Sequence, residues 1–208
     1  MSKKVAYTLF FMVIMTLISK FLGFIRETVI ANYYGTSYIV DSYVMAVAIP
    51  SILFGGIFAA IATAYMPTLS TVQETEGKIK ANRFTSQIIN VILILSIIVS
   101  VIGFVFSDQI VAIFASGFTG KTATLTSFYI KISFTYVVFT SMSSIFDAYM
   151  QYEGSYIKPI VSGYFYNAAI ILFVVISALT SHYVLAFGIL AGAFLRLIFI
   201  GVSARKKG

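Results

Sequence analysis

Apolar runs about twenty residues long alternate with short polar or turn-rich segments along the whole chain. A hydrocarbon layer of about 30 Å needs about 20 helical residues, so this spacing predicts membrane-spanning helices. Six such runs are predicted. The first starts at Val5 and reaches Phe24, with a polar extension through Arg26 and Glu27 to Tyr34. The second runs from Ile39 to Met66, is interrupted by Pro50 and ends at Pro67. The third, Gln87 to Phe106, is the purest apolar stretch, and the fourth, Leu125 to Met150, is rich in Ser, Thr and Phe. The fifth covers Pro159 to Leu179 and the sixth Tyr183 to Ser203. Between the third and fourth, Ile110 to Phe114 reads as a short amphipathic helix at an interface. Ser70 to Phe84 is the longest polar stretch and reads as a mobile cytoplasmic loop. No internal repeat or low-complexity tract emerges.

Composition supports that class. Hydrophobic residues make up 60% of the 208 and charged residues 10%, with a mean hydropathy of +0.98. An average soluble domain is roughly 25% charged, and a water-soluble fold could not cover this much apolar surface. The expected fold is therefore all-α: a polytopic membrane bundle forming a single unit over residues 1–208.

The net charge of +7 does not point to nucleic acid, because Lys and Arg stand at the ends of apolar runs rather than on one polar face. They act instead as topology signals. Lys3 and Lys4 precede the first run, Lys78, Lys80 and Arg83 follow the second, Lys158 follows the fourth, and Arg205, Lys206 and Lys207 follow the sixth. The intervening connections hold Asp108 with Lys121, and Ser181 with His182. Basic residues concentrate in cytoplasmic loops, so both termini are expected on the cytoplasmic side of a plasma membrane. The first run is too long for a signal peptide, contains Lys20 and lacks a small-residue cleavage pattern.

Several chemistries are excluded. Cysteine is absent and histidine occurs once, so no thiolate centre or histidine metal cluster can form. No GxxxxGK[ST] phosphate loop is present, and seven scattered acids form no catalytic cluster. An enzyme is not expected, nor a cofactor or metal.

Charges inside the apolar runs carry the candidate chemistry, because a central charge costs at least about 2.5 to 3.5 kcal/mol on insertion scales. Lys20, Gly23, Arg26 and Glu27 read as one helical stripe with Ser19 beside it. Such a stripe forms a cationic wall for an anionic group, or else Arg26 and Glu27 snorkel to the outer interface. Asp41 is close enough in sequence to pair with Arg26, either as a hairpin clasp or within a transport path. Pro50, followed by Gly55 and Gly56, allows the second helix to bend, in a gating role or as a static kink. Arg196 lies well inside the sixth run or snorkels toward the cytoplasm, whereas Lys131 and Asp147 read as interfacial. Asn167 is placed to hydrogen-bond between helices.

The string ISKFLGFIRETVIANYYGTSYIVDSYVMAVAIPSIL, Ile18 to Leu53, resembles the start of the MviN/MurJ family, the lipid II flippases of the multidrug/oligosaccharidyl-lipid/polysaccharide exporter superfamily. Ser19, Leu22, Gly23, Phe24, Arg26, Glu27, Gly35, Asp41, Tyr43 and Pro50 carry the match. Pro67, Ala115 to Phe118, Lys131 to Tyr136, Pro159 and Asn167 extend it. Two positions depart: the family's first arginine is Lys20, and a cavity arginine corresponds to Phe54 or a near neighbour.

The resemblance implies one lobe, the N-terminal one, of a two-lobe transporter, with a second lobe supplied by the same polypeptide or by another copy. It implies movement of an undecaprenyl-pyrophosphate-linked saccharide from inner to outer leaflet in peptidoglycan biosynthesis. Arg26 and Lys20 would hold the pyrophosphate, Glu27 and Asp41 would orient them or take part in ion coupling, and Pro50, Gly55 and Gly56 would permit bending. Export of another polysaccharide unit or a drug, and a non-transporting scaffold, are the alternatives.

Overall fold

A computed structural model describes residues 3–207, and all regular structure among them is helical. The helices are α1 (Lys3–Tyr34), α2 (Tyr38–Glu76), α3 (Lys78–Val105), α4 (Ser107–Phe114), α5 (Gly120–Tyr152), α6 (Ile157–Leu179) and α7 (Leu185–Arg205), with a 3-10 turn at His182–Val184.

Among the described residues, α1, α2, α3, α6 and the segment His182–Arg205 are long and apolar enough to cross a membrane. The exception is α5, the run rich in Ser and Thr. At one end Tyr149 Oη donates to Asn82 Oδ1 of α3 at 3.4 Å, and at the other Lys131 Nζ lies 5.9 Å from the Phe104 ring centre. α5 therefore runs antiparallel to α3 over nearly the full length of the most apolar helix and traverses the same depth. It is packed on α2, α3 and α7, so protein rather than lipid surrounds it. Several of its hydroxyls are satisfied within the helix: Thr140 donates to the Tyr136 carbonyl, Ser143 to Phe139 and Ser144 to Ser141. A helix enclosed by its neighbours has no need of a lipid-compatible surface.

The polar stretch Ser70 to Phe84 is helical, not a loop, and α2 does not end at Pro67 but continues to Glu76. Thr68, Thr71 and Thr75 return their hydroxyls to carbonyls four residues back, and Glu76 pairs with Lys80 at 2.8 Å. The reversal takes place at Gly77, whose φ of 85° favours a residue without Cβ. The predicted amphipathic segment forms α4, with Ser107 and Val111 buried.

Between helices in lipid, close packing and hydrogen bonding replace the hydrophobic drive. At Gly103 of α3 the Phe134 ring of α5 approaches so closely that a Cβ would lie 1.8 Å from it. At Gly192 of α7 a Cβ would lie 2.8 Å from the Tyr166 carbonyl oxygen of α6. α1 stands apart from this packed group. It lies along α6, with Tyr164 Oη donating to the Met15 carbonyl at 2.6 Å and Tyr34 Oη meeting Ser177 Oγ at 2.6 Å, but barely touches α2. The result is a groove between α1 and α2.

Candidate functional site

Small residues bring α1 against α6. Ser19 faces Gly163, where a Cβ would meet the serine hydroxyl at 3.6 Å. Further along α1, Arg26 reaches α6. Its Nη1 donates to Asn167 Oδ1 at 3.2 Å, while Nε and Nη2 donate to Glu27 Oε1 at 3.1 and 2.5 Å. Asn167 is fixed in turn, because its Nδ2 donates to the Gly163 carbonyl at 3.1 Å. Arg26 is thus tethered within the bundle, with a side chain 25% exposed. It opens on a groove of about 320 Å³ lined also by Glu27, Tyr43, Val47, Ser51 and Tyr166.

A guanidinium carries five N–H donors, and the three bonds above leave one on each Nη. Glu27 itself is 60% exposed.

Other expected site residues are distributed differently. Lys20, Arg26 and Glu27 do not form one stripe: Lys20 and Glu27 are exposed, in company with Leu17 and Phe24, whereas Arg26 turns toward α6. The cause is helical geometry, since six residues leave Arg26 about 120° from Lys20 while seven bring Glu27 back beneath it. Asp41 does not pair with Arg26. It is exposed in the first turn of α2, where the helix dipole favours a carboxylate, and Arg26 takes Glu27 and Asn167 instead. Pro50 is buried and α2 stays helical through it. Gly55 and Gly56 are exposed, with no atom within 4 Å of a Cβ at Gly56. Phe54 packs edge-on against Phe134, ring centres 6.0 Å apart, and belongs to the α2–α5 seam.

Arg196 does not stand alone. Its Nη2 meets Asp147 Oδ2 at 2.5 Å, and Asp147 is buried within the bundle. The interhelical role expected of Asn167 is confirmed, but sequence reasoning did not name Tyr43 or Tyr166 as walls of the groove. A tyrosine on each of α2 and α6 near the level of Arg26 was the available signal. No group of three or more metal-ligating side chains occurs among the described residues.

Fold and site together define a polytopic α-helical membrane bundle with an arginine tethered between α1 and α6. A family model described as lipid II flippase MurJ matches residues 30–208. The chain belongs to that family. It is 31% identical over 196 residues to a probable lipid II flippase MurJ of Buchnera aphidicola subsp. Schizaphis graminum, covering 89% of this chain and 37% of the relative. It is 26% identical over 189 residues to the lipid II flippase MurJ of Burkholderia cenocepacia, covering 88% and 37%. The chain thus spans little more than a third of the length of the curated relatives it matches. A solved structure of lipid II flippase MurJ in an inward closed conformation superposes with a TM-score of 0.80 at 22% identity, over 93% of this chain and 41% of that one. A MOP-superfamily transporter from Pyrococcus furiosus gives 0.64 at 15% identity, over 93% and 42%. These likenesses confirm the fold.

Proposed function

We propose that this chain is the N-terminal lobe of a lipid II flippase in a bacterial plasma membrane, with both termini cytoplasmic. It helps carry an undecaprenyl-pyrophosphate-linked saccharide from the inner to the outer leaflet. The observation that carries this reading is Arg26, tethered by Asn167 and Glu27 at the edge of the α1–α2 groove with two N–H donors left over. A pyrophosphate crossing hydrocarbon needs a hydrated cationic route, and a bidentate guanidinium is the side chain best matched to it. Lys20 supplies a second cation on the exposed face of α1, Glu27 trades its bond to Arg26 for the incoming phosphate, and Asp41 tunes the field near the groove mouth. Pro50, Gly55 and Gly56 give α2 room to bend as the groove opens and closes.

A second lobe completes the path. Lys20 and Glu27 lie on a face of α1 that is otherwise apolar and exposed, and charges there are costly against lipid. Family membership and the share of its relatives that the chain spans support the same arrangement.

The test is complementation in a strain depleted of its own flippase, with this lobe supplied together with a second one. Arg26→Ala abolishes growth while the protein still accumulates in the membrane, and Arg26→Lys restores it in part. Full growth with the alanine variant removes Arg26 from the mechanism.

A further inference from the structure

A second polar cavity lies at the opposite end of the bundle from Gly77, between α4, α5 and the 3-10 turn, and encloses about 620 Å³. It contains one carboxylate and one ammonium that do not pair with each other. Asp108 Oδ1 accepts from Ser127 Oγ at 2.5 Å, which leaves Ser127 Oγ as the acceptor in its 3.0 Å contact with Ser107 Oγ. The carboxylate is thereby anchored, with Oδ2 available. Lys131 is half-buried, lies over the Phe104 ring and has no ion pair among the described residues. Phe118, Phe128 and Tyr183 form the remaining wall, with Phe128 edge-on to Tyr183 at 5.1 Å.

Neither charge has a partner of opposite sign among the described residues, and a half-buried cation beside lipid is costly without one. Next to the cavity-lining positions Asp108, Val111 and Ala112, α4 and its start also expose Phe106, Ile113 and Phe114. A short helix with such an exposed apolar face belongs at the boundary between headgroups and acyl chains. One molecule available there carries an ammonium and a phosphate a few ångströms apart.

We propose that this cavity binds the headgroup of an aminophospholipid, its primary ammonium on Asp108 and its phosphodiester on Lys131, with the acyl chains leaving over Phe106 and Phe114. The site discriminates by charge pattern. An anionic glycerol headgroup would meet Lys131 but leave Asp108 unpaired and repelling it. A quaternary choline headgroup would satisfy both charges but cannot donate a hydrogen bond to the carboxylate.

The chain is reconstituted in nanodiscs containing equal amounts of phosphatidylethanolamine, phosphatidylcholine and phosphatidylglycerol, released into mild detergent, and the retained lipids are quantified by mass spectrometry. Phosphatidylethanolamine is retained with a preference of about tenfold, the scale of one charge-assisted hydrogen bond. Asp108→Asn and Lys131→Gln each bring the lipids toward parity with unchanged helicity, while Lys121→Gln, outside the cavity, does not. Equal retention by the unsubstituted protein, retention of phosphatidylglycerol as strong as that of phosphatidylethanolamine, or a preference surviving both substitutions overturns the proposal. If a variant loses helicity, the unsubstituted protein's own selectivity still decides. Both leaflets of the disc are identical, so the outcome is independent of membrane orientation and of the transport reading.

Discussion

Arg196 of α7 and Asp147 of α5 form a buried ion pair, Nη2 to Oδ2 at 2.5 Å, that joins two parallel helices in the interior of the lobe. Asp147 Oδ1 and Arg196 Nε have no hydrogen-bond partner among the described residues, so the pair is a single polar link rather than a fully satisfied network. Removing one partner strands a charge, which costs about 3–5 kcal/mol when fully buried and less here, because the Arg196 side chain is 30% exposed. Asp147→Ala is expected to destabilise the lobe by about 2 kcal/mol or more on that basis. The double variant Asp147→Ala with Arg196→Met recovers most of the loss. Thermal unfolding in detergent measures both, and additive losses would show that the pair is not coupled.

The seam between α3 and α5 depends on the missing Cβ of Gly103, against which the Phe134 ring is seated. Gly103→Ala forces that ring to move and is expected to cost about 1–3 kcal/mol, the usual range for overpacking. Phe134→Leu in the same chain relieves the clash and restores part of the stability. An unchanged unfolding midpoint for Gly103→Ala alone would contradict the packing described.

Orientation rests on the alternation of basic residues between successive connections. Cysteine placed at Thr75, exposed near the end of α2, reacts with an impermeant thiol reagent only from the cytoplasmic side. At Thr119, exposed before α5, it reacts only from outside. The protein's own lack of cysteine makes the labelling unambiguous. Reversed labelling overturns the topology.

The spans were legible because each is a long apolar run, and α3 most of all. α5 was legible by length yet is the least apolar, since enclosure by neighbouring helices relaxes the demand on its surface. Ser70 to Phe84 misled because a helix beyond the apolar layer carries no apolar periodicity and needs only Ser, Thr, Glu and Lys in a helical register. Arg26 and Asn167 were each recognisable as polar groups in apolar runs, but 141 residues separate them and only the parallel packing of α1 on α6 brings them together. The same applies to Asp147 and Arg196, 49 residues apart. Lys20 was grouped with Arg26 through a spacing that rotates it to a different face.

Lone function is a further expectation. At one copy per liposome, these 208 residues should not flip a fluorescent lipid-linked substrate, because Lys20 and Glu27 remain uncovered without a second lobe. Robust flipping under those conditions contradicts the single-lobe reading.

The central claim, that Arg26 receives a pyrophosphate, is tested most directly by titrating undecaprenyl pyrophosphate into the chain held in nanodiscs of neutral lipid. Saturable binding is expected, weakened about tenfold to a hundredfold by Arg26→Ala, the worth of one or two charge-assisted hydrogen bonds. Arg26→Lys falls between, because an ammonium keeps the attraction and loses the planar fork. Equal affinity for the alanine variant and the unsubstituted chain would contradict the account.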